Sequence, residues 1–397
     1  MKKVLFVFHS ANYYSGATRS MTDIVIQLHK KKEINALVLI PEKDGSAKEL
    51  LESNGIKVIF LPFKSLMQDE RAPIWRRTLK FPVYCVRYLK QKSLVRRRLE
   101  LFSDIDVVYS NTSTILLGAM IAEKLNVPHI WHFREFRHED HKIHFFLGER
   151  WHMHYVSTHV DKLIMISKSM ARKHIKYIPN EKMEIVYNEL PKSYILPQKK
   201  YNIDKPLQLL IAGDIKPGKG QLDAVEAVGY LKQLGIETFL NIAGKCSDIE
   251  YKKKIDDRIT YYEINENVIF CGMVEDMNSL RAKMDIGIVA SSLEAFGRVT
   301  IEGMLAHLCM VGCSSGGTKE LIKDKVTGLL YEPGKIQGLV ECLKYLNENR
   351  ADLKKISENG FRYAECTFTE GACSEKVYQI IMNMRTINME KKGEEDV

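Results

Sequence analysis

Short, continuous apolar runs recur along the whole chain, and they restrict the fold more than any other feature of the sequence. Between the first two runs, Met21, Ile24, Val25 and Leu28 have the spacing of an amphipathic helix. Runs of this kind are typical of parallel strands that are buried on both faces. Seven predicted strands lie in the first half, at 4–10, 35–41, 57–63, 106–111, 129–133, 162–167 and 184–188. Six more lie in the second half, at 207–213, 239–244, 268–272, 286–291, 310–315 and 328–333.

This alternation of strands and helices is interrupted at 196–206. Here the chain is polar, contains two prolines and shows neither the hydrophobic period of a helix nor that of a strand. We interpret the stretch as a linker between two Rossmann-like α/β domains, each with a doubly wound parallel sheet. The predicted domains are 1–200 and 201–369, and we expect them to face each other across a cleft. A helix at about 370–388 is expected to pack back on the first domain, and the charged residues 389–397 are expected to be disordered.

Charge and composition narrow the function classes. The net charge of +9 at pH 7 indicates a preference for anions, such as nucleotides, phosphorylated lipids or anionic membranes. No stretch approaches the ~20 apolar residues that span a bilayer, and the first apolar run is too short for a secretory signal. The eight cysteines form no C-x-x-C pair, so a zinc site is not expected. No G-x-G-x-x-G follows a predicted strand, which disfavours an NAD-dependent oxidoreductase.

Unusual residues of the second half follow three of its predicted strands. Lys219 follows one strand, residues 294–298 follow another, and residues 316–320 follow a third. In open α/β sheets, ligands bind beyond the carboxyl ends of the strands. We therefore expect these loops to meet at one edge of the second sheet, on the side of the cleft.

The stretch 291–304, SSLEAFGRVTIEGM, carries two glutamates, Glu294 and Glu302, around a Phe-Gly pair. Gly297 lets the main chain come close to a ligand, and the amides of a helix that starts near Arg298 can hold a diphosphate. Glu294 can accept hydrogen bonds from sugar hydroxyls, and Glu302 can accept two from a ribose. The alternative interpretation is that Glu302 only favours the helix dipole and that Glu294 is a solvated loop acid.

The segment 213–220, GDIKPGKG, nearly spells a Walker A phosphate loop. Gly213, Gly218 and Lys219 fit that pattern, but Gly220 stands where a Ser or Thr would hold magnesium. A P-loop NTPase is therefore one hypothesis. It also needs an acidic magnesium ligand at a strand end, and none is convincing.

Taken with SSGGTKELI and VTGLLYEPG, which follow it, the Glu294-x7-Glu302 pattern resembles the retaining glycosyltransferases of family 4, group 1. The resemblance covers 207–345 in the right order and extends more weakly over 1–188. It implies the GT-B fold, with two Rossmann-like domains. It also implies a nucleotide-diphosphate sugar as donor substrate, with no metal and no other cofactor.

The same resemblance assigns roles to residues of this sequence. Lys219 would neutralise the donor diphosphate. Asp214 stands where the family has an arginine, and Lys216 is a candidate replacement for that charge. The catalytic residues are predicted to be Glu294, Lys219 and His132, and the donor-binding residues Gly16, Gly213, Lys216, Lys219, Phe296, Gly297, Arg298 and Glu302.

In the first half, the resemblance places His132, at a strand end, beside the donor sugar. A lone histidine in such a place is often only structural. Gly16 stands where the family usually has two adjacent glycines, and it also fits a simple entry turn to the following helix. Arg134 and Glu135 are expected to pair with each other, and Glu189 replaces a family glycine without a function being assigned.

The segment 71–98 holds ten lysines and arginines and no acidic residue, with aromatic and aliphatic residues interleaved. Such a segment can lie on an anionic membrane. Nucleic-acid binding would use the same features, and an ordinary basic surface helix is the simplest alternative. We favour peripheral membrane contact and expect no nucleic acid as a partner. Pro82 is expected to interrupt a helix here.

The sequence thus predicts a retaining glycosyltransferase at the cytoplasmic face of a membrane. It would move a hexosyl or N-acetylhexosaminyl group to a glycan or a lipid-linked glycan during synthesis of a cell-surface polysaccharide. Family analogy predicts front-face displacement, in which the leaving phosphate takes the proton of the acceptor hydroxyl. A non-catalytic sugar-nucleotide-binding protein, or an epimerase on the same fold, remains an alternative because of Asp214.

Overall fold

The computed structural model describes residues 1–198, 205–369 and 371–384. The chain forms two compact units, one of Met1–Glu189 with Gly371–Val397 and one of Leu190–Glu370. The first unit thus ends at Glu189, before the predicted boundary at 200. The residues that follow Glu189 are hydrogen-bonded to other parts of the second unit and belong to it. The Leu190 amide donates to the Phe368 carbonyl over 2.8 Å, and the Leu196 amide donates to the Leu305 carbonyl over 3.0 Å. Residues 199–204 of the predicted linker and the predicted tail, 389–397, lie outside the described residues.

The first unit is built on a seven-stranded sheet in which every neighbouring pair of strands is parallel. Its strand order is β3-β2-β1-β5-β6-β8-β9. The strands, with the short antiparallel pair β4 and β7, are β1 Lys2–Val7, β2 Ile34–Ile40, β3 Lys57–Phe60, β4 Met67–Asp69, β5 Val107–Asn111, β6 His129–Phe133, β7 Ile143–Phe145, β8 Lys162–Met165 and β9 Met183–Ile185. The seven sheet strands correspond to the seven predicted ones, with ends shifted by a few residues. The pair β4 and β7 was not predicted, because each strand is only three residues long.

Helices cover this sheet through apolar faces. Met21, Ile24, Val25 and Leu28 of the first helix are all buried in the core of the unit, as their spacing predicted. The helices of this part of the chain are α1 Gly16–Lys30, α2 Ser46–Ser53, α3 Ile74–Arg97, α4 Leu117–Leu125, α5 His138–His141, α6 Glu149–His159 and α7 Lys168–His174.

Helix α3 runs without interruption through Pro82, so the expectation of a break there is wrong. A proline inside a helix leaves the carbonyl of the preceding turn without its N–H partner. Here Thr78, which carries that carbonyl, and Pro82 itself are both exposed. Water can therefore bind the carbonyl, and the helix continues. Among the residues that the structure describes, no helix is both long and apolar enough to cross a membrane.

The second unit has a six-stranded, fully parallel sheet in the order β12-β11-β10-β13-β14-β15. Its six strands are the six predicted ones: β10 Leu207–Ala212, β11 Thr238–Ala243, β12 Val268–Gly272, β13 Ile286–Val289, β14 Cys309–Cys313 and β15 Leu329–Tyr331. Strands β11 and β12 extend the sheet on one side of β10, whereas β13, β14 and β15 extend it on the other side, where β13 pairs with β10. The helices are α8 Gln221–Gln233, α9 Ile249–Tyr261, α10 Met277–Arg281, α11 Arg298–Leu305, α12 Thr318–Leu321, α13 Ile336–Glu348 and α14 Arg350–Phe368. Such a doubly wound sheet places a ligand site at the carboxyl ends of these strands.

The last helix, α15 (Ala372–Asn383), belongs to the first unit. Its residues Val377 and Ile381 are buried in the same core as α1. Glu189, to which no function was assigned, holds the start of this helix, because its Oε2 accepts from the amides of Cys373 (3.0 Å) and Ser374 (3.1 Å). A carboxylate at this position satisfies helix amides that have no partner within the helix.

Because several histidines are buried in the first unit, we expect the free energy of unfolding of this unit to fall in acid. Burial lowers the pKa of His129 to about 4 and that of His174 to about 3, and it lowers the pKa of His132 and His152 well below 6.5. In the unfolded chain these groups take up protons near pH 6.5, whereas in the folded unit they do so only at lower pH, near pH 4 for His129 and near pH 3 for His174. Acid therefore favours unfolding between these values, and each histidine contributes up to ~1.4 kcal/mol of unfolding free energy per pH unit. Burial also raises the pKa of the Glu135 and Glu189 carboxyls, which offsets part of the loss at the acid end.

Tryptophan fluorescence can follow this unit alone, since all three tryptophans lie in it. We expect its free energy of unfolding to fall steadily from pH 7 to pH 4.5. In the variant His174→Leu the fall should be smaller by up to ~1.4 kcal/mol per pH unit, because the Nε2 atom of His174 is buried and has no partner among the described residues. An identical pH slope in the variant and the wild type would contradict the assignment.

Candidate functional site

Three loops meet at the carboxyl edge of the second sheet, as the sequence predicted for this half. They follow β10, β13 and β14, and hydrogen bonds connect them directly. The Ser292 amide donates to the Gly218 carbonyl (3.1 Å), and the Gly317 amide donates to the Glu294 carbonyl (2.8 Å). The Ser315 hydroxyl donates to the Ser291 carbonyl (3.3 Å). Residues from three separate parts of the sequence therefore form one surface.

At the centre of this surface, the Lys219 ammonium donates to Glu294 Oε1 over 2.6 Å. The Ser291 hydroxyl donates to the same oxygen over 2.6 Å. Both charged side chains are partly exposed, so a ligand can reach them. Lys216 takes part through its backbone, because its carbonyl accepts from the Lys219 amide (3.3 Å) and closes the turn that presents Lys219.

Gly220 explains why this loop lacks the Walker serine or threonine. Its φ is +76°, and a β-carbon there would lie 2.3 Å from the Ala290 carbonyl oxygen. Any side chain would therefore clash with the backbone that follows β13. The neighbouring Gly213 (φ +141°) is packed against Gly244, where an added β-carbon would lie 2.1 Å from the Gly213 oxygen. The loop is shaped by close backbone contacts and has no room for a magnesium-binding hydroxyl at position 220.

Gly297 is the N-cap residue of α11, with φ +98°. A β-carbon on it would lie 3.3 Å from Thr300 Oγ1 and 3.7 Å from Thr318 Oγ1. Both hydroxyls are buried, and neither has a partner among the described residues. The helix start thus offers amides and hydroxyls together, as an anion requires. The Phe296 side chain is buried and packs on Phe368 with ring centroids 6.1 Å apart, so this residue can reach a donor only through its backbone.

Glu302 lies one turn into α11 and is held by two arginines. Arg281 Nη2 donates to Glu302 Oε2, and Arg298 Nε donates to Glu302 Oε1 over 3.3 Å. Glu302 is 8% exposed and Arg281 is 3% exposed. Both guanidinium groups also lie within 6 Å of the Tyr194 ring, at 5.8 and 5.9 Å from its centroid. The sequence did not single out Arg281, because a buried arginine at the end of a short helix carries no recognisable pattern.

The ion pairs of Glu302 with Arg281 and Arg298 lead us to a prediction about the stability of the second unit. The variant Arg281→Met leaves Glu302 buried with Arg298 as its remaining partner, and we expect it to lower the free energy of unfolding of the second unit by about 2–3 kcal/mol. Adding Glu302→Gln should restore part of the loss, because the uncompensated charge is then removed. Scanning calorimetry measures both variants. Lys335→Met, which breaks an exposed pair with Glu332, is the control and should not change the transition.

In the first unit, His132 is buried and its Nδ1 lies 2.7 Å from the Tyr109 hydroxyl and 3.2 Å from Arg134 Nη2. Arginine only donates, so Nδ1 must accept and the proton of the neutral ring must be on Nε2. Burial, and then the nearby Arg134 charge, keep the pKa of His132 well below its usual value. The Nε2 atom is buried and has no partner among the described residues. His132 is therefore built to donate a hydrogen bond and not to act as a base.

The hydrogen bonds described for Arg134 and Glu135 go to different residues, which corrects the expectation that the two form a pair. Arg134 binds the side-chain oxygens of Asn111 (2.6 Å) and Asn188 (2.5 Å). Glu135 accepts from the amide and the hydroxyl of Ser113 (2.7 and 2.6 Å). The two neighbours thus bind different residues at the end of β5 and just after it, and adjacency in sequence did not show this.

Gly16 is the first residue of α1, and the next residue, Ala17, is hydrogen-bonded to the Asn111 side chain that also binds Arg134. The Asn111 amide group donates to the Ala17 carbonyl over 3.2 Å, and the same side chain accepts from Arg134. A β-carbon on Gly16 would meet no atom within 4 Å. The start of α1 and His132 thus share the carboxyl edge of the first sheet, whereas the other predicted site residues belong to the second unit.

Comparison with protein families agrees with the division of the chain into two units. A model described as glycosyltransferase family 4 matches residues 14–189, and a model described as glycosyl transferases group 1 matches residues 196–363. The chain belongs to the group 1 glycosyltransferases of family 4. The family resemblance seen in the sequence is thus confirmed, and the two family models correspond to its two units.

Relatives of this family-4 chain include the Escherichia coli O-antigen chain mannosyltransferase C, which is 30% identical over 32% of the chain and 34% of the relative. The Bacillus anthracis N-acetyl-alpha-D-glucosaminyl L-malate synthase is 24% identical over 46% of the chain and 49% of the relative. The chain therefore matches about half or less of the length of these curated relatives. Among solved structures, Anabaena Alr3699/HepE in complex with UDP is similar with a TM-score of 0.78, 21% identity, and coverage of 97% of this chain and 100% of that one. This likeness confirms the GT-B fold.

Proposed function

We propose that this family-4 protein transfers a sugar from a nucleoside diphosphate sugar to an acceptor hydroxyl, with retention of configuration at the anomeric carbon. The observation that carries the proposal is the meeting of Lys219, Glu294 and the Gly297 helix start on one surface of the second unit. This surface combines a cation, a helix start and a carboxylate. A nucleoside diphosphate sugar requires all three.

The diphosphate would bind to Lys219 and to the amides at Gly297 and Arg298. The Lys219 ammonium pairs with the Glu294 carboxylate. A diphosphate carries more negative charge than one carboxylate, so it would draw Lys219 away from Glu294. Glu294 would then be free to accept hydrogen bonds from the hydroxyls of the donor sugar. Binding of the leaving group and positioning of the sugar would therefore depend on each other.

The ribose would bind to Glu302. Its carboxylate is already fixed by Arg281 and Arg298, but each carboxylate oxygen can accept more than one hydrogen bond. The arginines hold the carboxylate in one orientation. This is the role of supporting residues in a preorganised site. Gly213, Phe296 and Gly16 would contribute backbone or shape to donor binding, and Lys216 would supply the positive charge that the family has at the position of Asp214.

By family analogy, we propose His132 of the first unit as a catalytic residue that acts as a hydrogen-bond donor through its Nε2–H. We propose that the chemistry is a front-face displacement: the acceptor oxygen bonds to the anomeric carbon as the bond to the diphosphate oxygen breaks. The acceptor proton passes to the leaving phosphate. No metal and no other cofactor take part in this proposal, because Lys219 and the helix amides provide the stabilising charge.

The acceptor would be a glycan or a lipid-linked glycan in the synthesis of a cell-surface polysaccharide. This inference is supported by a relative named as an O-antigen chain mannosyltransferase. The similar Anabaena structure is a complex with UDP, which supports a nucleoside diphosphate as the leaving group.

The experiment is incubation of the full chain with a panel of labelled nucleotide sugars and polyprenyl-linked acceptors. We expect labelled, retained product from one donor, also in the presence of EDTA. Isomerised sugar nucleotide without transfer would indicate an epimerase, and binding without turnover would indicate a non-catalytic protein. Either result would reject the proposed transferase.

A further inference from the structure

Helix α3 presents an apolar stripe on the side that points away from the first unit. Its inner side packs through Tyr84 on Phe146 (ring centroids 5.8 Å apart) and through Tyr88 on Trp151 (6.1 Å). On the opposite side, Trp75, Leu79 and Leu89 are 62%, 70% and 62% exposed. Together with Pro82 and Val86 they recur at alternating steps of four and three residues, which places them on one helix face. Large apolar side chains in such a row are not expected on a surface that faces only water.

Basic residues flank this stripe on both sides. Arg76, Lys80 and Lys90 are exposed along one side of it, and Lys92 and Arg96 along the other. The segment 71–98 contains no acidic residue that could neutralise them. A surface with an apolar centre and cationic borders matches the interface of an anionic bilayer, where apolar side chains enter the acyl region and lysines and arginines reach lipid phosphates.

A groove continues the apolar stripe at its side. It has a volume of about 630 Å³ and lies between α3 and the segment that follows β3. Phe63, Val83, Val86 and Leu94 contribute apolar walls, and Arg87 and Lys90 stand among them. The Gln91 side chain ties the two walls together by donating to the Lys64 carbonyl over 2.7 Å. The groove can therefore take an acyl chain whose headgroup phosphate stays with the basic residues.

We infer that α3 and this groove dock the protein on an anionic phospholipid bilayer, with lipid acyl chains as the occupants of the groove. A second copy of the chain fits this surface less well, because pairing of two such helices would bring two rows of positive charge together. A nucleic acid would fit the basic borders but would have to dehydrate the apolar stripe without binding to it. The inference does not depend on the proposed transferase activity.

Flotation with vesicles tests the docking. We expect the full chain to bind vesicles that contain phosphatidylglycerol, to bind phosphatidylcholine vesicles much more weakly, and to be released by high salt. Lys80→Gln/Arg87→Gln/Lys90→Gln should weaken binding about a hundredfold, since each basic residue near the membrane contributes about fivefold, or ~1 kcal/mol. The matched control, Lys253→Gln/Lys254→Gln/Lys283→Gln, removes the same charge from the second unit and should bind as the wild type. The double variant Leu79→Ser/Leu89→Ser should lose at least tenfold.

Brominated lipids test the depth of insertion. Trp75 is the exposed tryptophan of the three, so we expect brominated acyl chains to quench part of the fluorescence and Trp75→Phe to abolish that part. In Trp75→Phe/Leu94→Trp, quenching of the introduced indole should report an acyl chain in the groove. Equal binding to both vesicle types would overturn the inference. So would a dimer in solution that Leu79→Ser/Leu89→Ser dissociates, or tighter binding to RNA than to vesicles.

Discussion

Replacement of Glu294 by alanine is expected to reduce sugar transfer by about a thousandfold or more while leaving the fold intact. The carboxylate is the partner of Lys219 and Ser291 at the centre of the three loops. Its removal would take away the group that positions the donor sugar and would leave Lys219 without the contact that orders it. Loss of one preorganised polar group at a reaction centre costs on the order of 10²–10³ in rate, and loss of sugar orientation adds to this.

The variant is tested by initial rates of transfer at saturating donor, together with calorimetry to show that the second unit still unfolds at the same temperature. Glu294→Gln keeps the shape and should lose most of the activity, because an amide binds Lys219 and sugar hydroxyls less strongly. Glu332→Ala removes an exposed carboxylate of the same unit and should retain full activity. Transfer at the wild-type rate by Glu294→Ala would show that the role of Glu294 is wrong.

The strands of both sheets could be predicted because parallel strands need apolar residues on both faces, and such runs are visible without any partner. The runs at 129–133 and 268–272 even have the observed ends. The convergence of Lys219, Glu294 and Gly297 was also predictable, since the carboxyl ends of neighbouring strands lie at one edge. The resemblance to the family supplied their proposed roles.

Pairings between distant side chains could not be predicted in this way. Nothing in the sequence connects Arg281 with Glu302, because the contact arises only when α10 and α11 pack against each other. Adjacency suggests a pair of Arg134 and Glu135, but their hydrogen bonds go to different residues. The sequence around Glu189 indicates no role for it, because the helix that it supports, α15, begins nearly two hundred residues later.

The remaining large effect concerns the loop that resembles a Walker A motif. Gly220→Ser restores the missing hydroxyl of that motif, so a P-loop NTPase would gain magnesium binding from it. In this structure the serine β-carbon would lie 2.3 Å from the Ala290 oxygen and 2.5 Å from the Ala290 β-carbon, in a left-handed conformation. Strain and overpacking together should lower the free energy of unfolding of the second unit by roughly 4 kcal/mol.

The displaced loop should also lose its contacts with the two neighbouring loops, because the Gly218 carbonyl accepts from Ser292 and Lys219 reaches Glu294. We therefore expect Gly220→Ser to bind nucleotide sugar at least tenfold more weakly, as measured by calorimetric titration of the folded fraction at low temperature. Gly235→Ser, at a glycine of the same unit with φ +75° but no atom within 4 Å of the added carbon, separates backbone strain from the clash and should bind donor normally. Magnesium-dependent ATP hydrolysis by Gly220→Ser would favour a phosphate loop of the NTPase kind. If Gly220→Ser loses donor binding and Gly235→Ser does not, the close contact between the backbones at Gly220 and Ala290 is what positions Lys219 for the donor.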